Sequence, residues 1–377
     1  MMIGLLGHGV VGSGVRKIVD EAYTSDTASL CIKKILVKQM GSNGDERETA
    51  NMDDILNDED IDTVVECIGG TEPAHTYVKK ALEAHKNVVT SNKKMLAVYA
   101  RELFETAEKN GVHLLYEASV GGGIPWIHEL KRIRRIDDIV SFEGIMNGTT
   151  NYILSSMEKD GTDFETVLKK AQDLGYAERD PSDDIDGYDV RYKTALSALT
   201  AFDTVVKPEE IPCFGIRHIR KKDMEYARKN GMKIKLLGRG KKEENKVSLS
   251  VMPCFISDDN MLAAVDQNYN AVSCVSETLG KAVFTGQGAG SLPTAHAVVQ
   301  DLLDIQNGSL SETCSYHKAE IDDENTGVFY IRTECSLDKI PHMTIDEDTV
   351  LTERIFLHEV MKAVEKDENA LVIEVLK

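Results

Sequence analysis

No apolar run of bilayer length occurs in the 377 residues, so the sequence offers nothing to span a membrane as a helix. No C-x-x-C pair occurs either. The seven cysteines (Cys31, Cys67, Cys213, Cys254, Cys274, Cys314 and Cys335) are odd in number and scattered. They suggest neither a zinc site nor a redox motif, and read as idle thiols in a reducing cytoplasm. Positive charge is in short supply. With 44 basic against 63 acidic side chains the formal net charge is −19. That field repels phosphate backbones, so no nucleic-acid surface is expected. The first residues lack the basic segment of a signal peptide, and Gly4, Gly7, Gly9, Gly12 and Gly14 interrupt them. There is no internal repeat and no low-complexity tract.

What is present is the balance of a globular chain, 42% hydrophobic and 28% charged. The length exceeds one ordinary core and suits two domains plus a short extra element. Short apolar runs at 2–6, 31–37, 63–68, 87–90 and 112–116 read as strands. Helical stretches at 10–22, 74–85 and 93–110 alternate with them. Such alternation predicts an α/β domain with a doubly wound parallel sheet. Beyond about residue 135 the pattern changes. A strand at 139–145, helices at 150–159, 164–174 and 188–202, and strands at 234–237, 247–252, 271–275 and 281–285 predict an α+β domain. A helix at 293–305 is placed to return to the first domain. The tail reads as one strand (328–333), one helix (352–365) and a last strand (370–375).

The chemistry-bearing segments begin with Gly7-His8-Gly9-Val10-Val11-Gly12, a G-x-G-x-x-G between strand and helix. This is the Rossmann dinucleotide fingerprint, with the pyrophosphate expected at the helix N-terminus. A plain glycine turn is the competing reading, and the strand–helix context argues against it. After the second strand, where an acid would hold a ribose 2′-hydroxyl, stands Val37-Lys38-Gln39. Lys38 either faces a 2′-phosphate or is simply solvated. Lys93, where a fourth strand meets a helix, opposes the helix dipole and so asks for a reason. Glu117-Ala118-Ser119-Val120-Gly121-Gly122-Gly123-Ile124-Pro125 either cradles an anion or turns carbonyls around a hard cation. In the polar segment 175–193, Asp189 and Lys193 stand at i and i+4 on a helix face that continues through Leu196 into the interior. Glu178 arrives from a loop. A lysine among carboxylates at a domain boundary suits proton transfer, a structural ion pair being the plainer reading.

Taken together, these segments resemble homoserine dehydrogenase. The likeness rests on Asn147-Gly148-Thr149-Thr150-Asn151-Tyr152-Ile153-Leu154, the 117–125 loop, Asn92-Lys93, the 175–193 segment, and Gly286-Gln287-Gly288-Ala289-Gly290 with Pro293-Thr294. It implies NAD- or NADP-dependent interconversion of L-homoserine and L-aspartate 4-semialdehyde, in the synthesis of threonine, methionine and isoleucine. By position, Lys193 resembles the family's proton donor and Lys93 its second active-site lysine, beside the nicotinamide. Gly148, Thr149, Glu178, Asp184 and Asp189 match residues that hold substrate or order the site. Gly7, Gly9, Val10, Val11, Gly12, Lys38, Lys93, Gly175 and Gly290 are the expected cofactor contacts. Glu117, Val120, Gly122 and Ile124 resemble a site for a monovalent cation, sodium or potassium, in which backbone oxygens dominate.

The resemblance also implies a cytoplasmic homodimer. It divides the chain into a dinucleotide domain (1–135, completed by about 290–310), a substrate and dimerisation domain (136–289) and a short extension (311–377). Many family members carry an ACT-type regulatory domain. This tail reads as a trimmed version, so weak or absent threonine inhibition is expected, and, with the dehydrogenase segments beginning at residue 1, no kinase fusion is expected. Without an acid after the second strand, NADP(H) is expected to be accepted at least as well as NAD(H). Two rival functions remain at this stage: a catalytically inactive nucleotide-sensing regulator on the same fold, and another small hydroxy-acid dehydrogenase. Retention of Lys93, Glu178, Asp189 and Lys193 together argues against the first.

Overall fold

The computed structural model describes residues 1–41, 44–309, 320–322 and 325–376. They divide into two compact units. One comprises residues 1–136 and the described part of 286–316; the other comprises 137–285 and the described residues from 320 onward.

The first unit is built on a parallel sheet. Its elements are β1 (Met2–Leu6), α1 (Val10–Glu21), β2 (Cys31–Leu36), β3 (Glu48–Thr49), α2 (Asp53–Leu56), β4 (Thr63–Glu66), α3 (Ala74–Glu83), β5 (Asn87–Thr90), α4 (Lys93–Asn110), β6 (Leu114–Leu115) and α5 (Trp126–Arg134). The strand order is β3-β2-β1-β4-β5-β6, every pairing parallel. Buried on both faces, the strands read as continuous apolar runs such as Ile3–Leu6, all without exposure. The order reverses at β1, and in such sheets ligands bind outside the carboxyl ends of the strands at that point. Late in the chain α11 (Ser291–Asn307) joins this unit. Its Ala295, Val298 and Leu302 close a core with Ile3, Leu5, Val15, Val19, Ile32 and Val65.

The second unit is built on a mixed sheet. Its elements are β7 (Ile139–Ile145), α6 (Gly148–Asp160), α7 (Phe164–Asp173), α8 (Ser182–Ile185), α9 (Tyr188–Phe202), α10 (Lys221–Lys229), β8 (Met232–Glu243), β9 (Lys246–Ser257), β10 (Tyr269–Ser276) and β11 (Gly280–Gln287). The tail adds β12 (Glu320–Ile321), β13 (Thr326–Gly327), β14 (Phe329–Arg332), β15 (His342–Asp346), β16 (Thr349–Thr352), β17 (Ile355–Phe356), α12 (Leu357–Val364) and β18 (Leu371–Val375). The order is β11-β10-β7-β8-β9-β18-β14-β16-β15, with β18 parallel to β9. The tail therefore extends the sheet of the second unit. Helix α9 lies on β7, β8 and β9, and twelve of its fifteen residues are buried.

The tail holds more strands than its sequence suggests. The hairpin of β15 and β16 lacks a strong apolar period, since all of β15 except Ile345 is exposed. The predicted helix at 352–365 begins only at Leu357, because Thr352 closes β16 and Ile355–Phe356 pair with β13. One face of the tail packs Leu357, Val360 and Val364 of α12 onto Phe329, Ile331 and Val372. The other receives α10. Arg332 Nη1 donates to both oxygens of Asp223 (2.6 and 2.9 Å), and the Tyr330 hydroxyl donates to the same carboxylate (2.8 Å). Helix α10 has no counterpart in the sequence reading, for its stripe is weak: Met224 and Ala227 are its only buried apolar residues.

Candidate active site

The glycine loop follows β1 because Gly7 takes φ +96°, a conformation costly for other residues. A Cβ at Gly12 would stand 2.1 Å from the Gly7 carbonyl oxygen, so that position must stay bare for α1 to begin there. At Gly9 an added Cβ would meet nothing within 4 Å, which leaves space against the backbone for a ligand. Helix α1 has Gly9 as its N-cap, no side-chain cap bond and no acid in its first turn. Its first N–H groups thus point outward unsatisfied by side chains, the arrangement that receives phosphate. Helix α11 starts in the same way from Gly290, and the Ser291 hydroxyl donates to the Val10 carbonyl (2.6 Å). The two bare helix starts lie together. Val10 itself is 71% exposed beside this loop, Val11 is half-buried, and Lys38 is exposed past the end of β2.

Helices α4 and α6 begin differently. Asn92 caps α4 by accepting from Met95 N (3.1 Å), while its amide donates to the Gly70 carbonyl (2.8 Å). Thr90 Oγ1 and the backbone N–H of Ile68 both donate to Glu66, a buried carboxylate at the end of β4. Burial pushes the Glu66 carboxyl up from its ordinary range, and these hydrogen bonds oppose that shift. Glu66 thus ties together the loops after β4 and β5, and places Lys93 as the first, half-buried residue of α4. Sequence reasoning passed over Glu66, because an acid inside an apolar strand carries no spacing signal.

In the loop after β6, Gly121 and Gly122 take φ +85° and +58°. The Glu117 carboxylate is committed to the start of α5, accepting from Ile127 N (3.1 Å) and His128 N (2.6 Å). Its own N–H donates to Asp301 (2.9 Å). Burial pushes Glu117 up to about 7, and Asp301 well above the usual carboxylate range. The backbone oxygen of Glu117 accepts from Val120 N (3.3 Å) and keeps a second lone pair. Among the described residues, no hydrogen bond reaches the carbonyls of Val120 and Gly122, both buried. Buried carbonyls without donors suit a cation held by backbone oxygens. Among the described residues, no group of three His, Cys, Asp or Glu side chains is placed to hold a metal.

The second unit gathers its polar side chains around Asn147. That residue caps α6 by accepting from Thr150 N (2.8 Å). Its amide donates to Asp184 Oδ1 (2.6 Å) and Asp189 Oδ2 (2.9 Å). One turn along α9 from Asp189, Lys193 Nζ donates to Asp189 Oδ2 (2.7 Å) and to the Met146 carbonyl (2.6 Å). Lys193 and Asp189 are both buried. Asp184 is raised by burial and then by the charge of Asp189. Thr149, beside Gly148 in the first turn of α6, donates to the Tyr176 carbonyl (2.6 Å). Asp184, Asp189 and Lys193 are therefore brought together, and Asn147 joins them. Glu178 is exposed in the loop after α7, with its carbonyl bonded to Gln172. Gly175, exposed with φ +76°, lies in the same loop.

Comparison with known proteins gives these features a context. A model described as "Homoserine dehydrogenase, NAD binding domain" matches residues 7–117, and one described as "Homoserine dehydrogenase" matches residues 125–303. The homoserine dehydrogenase of Bacillus subtilis is 40% identical over 312 residues, covering 80% of this chain and 72% of its own. That of Synechocystis is 42% identical over 317 residues, with the same coverage. Among solved structures, a homoserine dehydrogenase from Thiobacillus denitrificans superposes with a TM-score of 0.90 at 31% identity, covering 100% of this chain and 98% of its own. An archaeal homoserine dehydrogenase mutant in complex with NADPH gives 0.71 at 25%, covering 83% and 99%.

Proposed function

The chain belongs to the homoserine dehydrogenase family, and we infer on that premise that it interconverts L-homoserine and L-aspartate 4-semialdehyde with a nicotinamide dinucleotide, in amino-acid biosynthesis. A sensor without catalysis and a different hydroxy-acid dehydrogenase find no support among its relatives. When bound, the dinucleotide supplies or accepts the hydride. The bare starts of α1 and α11, with the open space at Gly9, fit its pyrophosphate. Gly7, Val10, Val11, Gly12 and Gly290 contribute to this cradle, and Gly175 is assigned to the cofactor by position in the family. The observation that carries the chemistry is the buried set of Asn147, Asp189 and Lys193, with the half-buried Asp184 bonded to it.

In the reducing direction an aldehyde oxygen gains negative charge and must take a proton. Lys193 Nζ delivers it, oriented by Asp189 and by the Met146 carbonyl. In the oxidising direction the same amine receives the hydroxyl proton. Asn147, fixed as the cap of α6, donates to both aspartates and so ties Asp184 to the Asp189–Lys193 pair. Lys93 serves as the second active-site lysine. Glu178, Gly148, Thr149 and Asp184 bind substrate, the acids meeting its ammonium. A sodium- or potassium-sized cation is held by backbone oxygens of the loop carrying Glu117, Val120, Gly122 and Ile124, and stiffens it. The two buried carbonyls without donors support that reading.

The same family membership supports a homodimer formed through the second unit and a cytoplasmic location. No described helix is long and apolar enough to cross a membrane. The net charge of −19 disfavours nucleic acid as a partner. Steady-state oxidation of L-homoserine with NAD⁺ and with NADP⁺ tests the assignment. Turnover of other small hydroxy acids without turnover of homoserine would overturn it.

A further inference from the structure

The sequence carries no acid at the end of β2, yet the fold brings one there from the neighbouring strand. Glu48 opens β3, which pairs in parallel with β2 through Ile35↔Glu48. Its side chain is 1% exposed. Oε2 accepts the backbone N–H of Gly41 (2.7 Å), in the loop that follows β2. Oε1 lies 3.9 Å from Nδ1 of His8, the residue between the first two glycines of the fingerprint. That separation is too long for a hydrogen bond. The His8 side chain is only 5% exposed, and its Nδ1 has no hydrogen-bond partner. The carboxylate thus spans the glycine loop and the loop after β2. Between those two segments a doubly wound domain seats the adenosine ribose of a dinucleotide.

The other charges of this rim come largely in matched sets. Arg47 donates to both oxygens of Asp20 (2.7 Å each) and to both of Asp45 (3.0 and 2.8 Å). Arg16 lies 3.2 Å from Asp20 and 3.0 Å from Asp45. Two arginines and two aspartates make a neutral clasp between α1 and the approach to β3. Lys38 and Glu48 then stand as opposite signs on the loop and beneath it. NADP differs from NAD only by a dianionic 2′-phosphate on that ribose. Lys38 attracts such a group from an exposed position, where salt and water screen it. Glu48 repels it from a buried position, where screening is weaker.

We infer that Glu48, seated beneath the glycine loop against His8, is the residue that decides between the two dinucleotides, and that it disfavours the 2′-phosphate. The inference deepens the reading of the first unit as the dinucleotide site. It reverses the sign suggested by Lys38 alone. Glu48 acts through charge and through the Gly41 bond, so the informative variant keeps one and removes the other. Glu48→Gln retains an oxygen for Gly41 N–H while removing the charge.

Titration of NADH and NADPH onto the wild-type chain, followed by nicotinamide fluorescence, comes first. NADH is expected to bind at least about tenfold more tightly. A preference for NADPH would overturn the inference even if no variant folds. Failure to bind either dinucleotide would instead overturn the reading of the first unit, and this inference with it. In Glu48→Gln the ratio of kcat/KM for NADP⁺ over NAD⁺ should rise at least about tenfold, mostly through KM. Lys38→Ala should lower the same ratio by less than about threefold, an effect that shrinks as salt is raised. A folded Glu48→Gln enzyme with an unchanged ratio, or a Lys38→Ala effect larger than that of Glu48→Gln, would sink the proposal.

Discussion

The first unit offers a ligand its backbone, whereas the second gathers polar side chains. In the first, three glycines and two uncapped helix starts offer N–H groups and empty space. In the second, the corresponding helix start is capped by Asn147, and that amide also holds two aspartates around a buried lysine. A phosphate carries full charge and is satisfied by many weak donors, so exposed peptide groups suffice. A proton donor must be held in one position and kept from water, which takes burial and fixed partners. Damage to the two sites should therefore look different.

The largest expected effect is in the second unit. Lys193→Ala should lower kcat by roughly 10²–10⁴-fold while dinucleotide affinity stays within about twofold. A folded variant with near-normal kcat would break the division of labour drawn above. Melting curves belong beside the kinetics, because the change leaves the buried Asp189 without the lysine's charge, at a cost of about 3–5 kcal/mol.

In the first unit, Glu117 offers a titration. Burial raises its folded pKa from the ordinary 4.5 to about 7. The folded state then holds a proton that the unfolded state has released between those values, so stability falls as pH rises across that window. The loss is complete above about pH 7 and amounts to about 3 kcal/mol at most. Glu117→Gln should flatten the dependence, as thermal melts at pH 5 and pH 8 would register. An unchanged slope would mean that the carboxyl is ionised throughout.

Two glycines sharpen the contrast further. Gly12→Ala places a Cβ 2.1 Å from a carbonyl oxygen and should destabilise the chain by about 1–3 kcal/mol, with dinucleotide binding lost alongside. Gly9→Ala should leave the melting temperature nearly unchanged and weaken dinucleotide binding alone, because its Cβ enters only the open space. Equal effects of the two on stability would contradict the reading of that space as the ligand's. The smallest effect expected is none: millimolar L-threonine should leave the rate unaltered. The tail's two faces are already occupied, by α12 on one side and by α10 with Asp223 on the other.

These differences also explain what a linear reading can reach. The glycine loop is contiguous, so its spacing and its strand–helix setting were visible at once. The pairing of Asp189 with Lys193 was visible because one helical turn separates them. Asn147 and the Met146 carbonyl lie more than forty residues earlier and meet the pair only when α6 and α9 pack on one sheet. Glu48 is hidden from a linear reading for a related reason: the fingerprint places its acid at the end of β2, and the fold supplies one from β3. In the tail, β15 is exposed along most of its length, so no apolar rhythm marked it.

The return of α11 to the first unit has a consequence in time. The face of the parallel sheet carrying Ile3, Leu5 and Ile32, with Val15 of α1 beside it, is made early, whereas Ala295, Val298 and Leu302, which complete that core, are made after the whole of residues 137–285. At a synthesis rate of about 5–20 residues per second, that interval is roughly ten to thirty seconds. Throughout it the nascent unit presents an unfinished apolar surface at the ribosome. A fragment ending at residue 136 would keep that surface permanently and should be recovered as aggregate, a hazard that co-expressed α11 peptide would relieve.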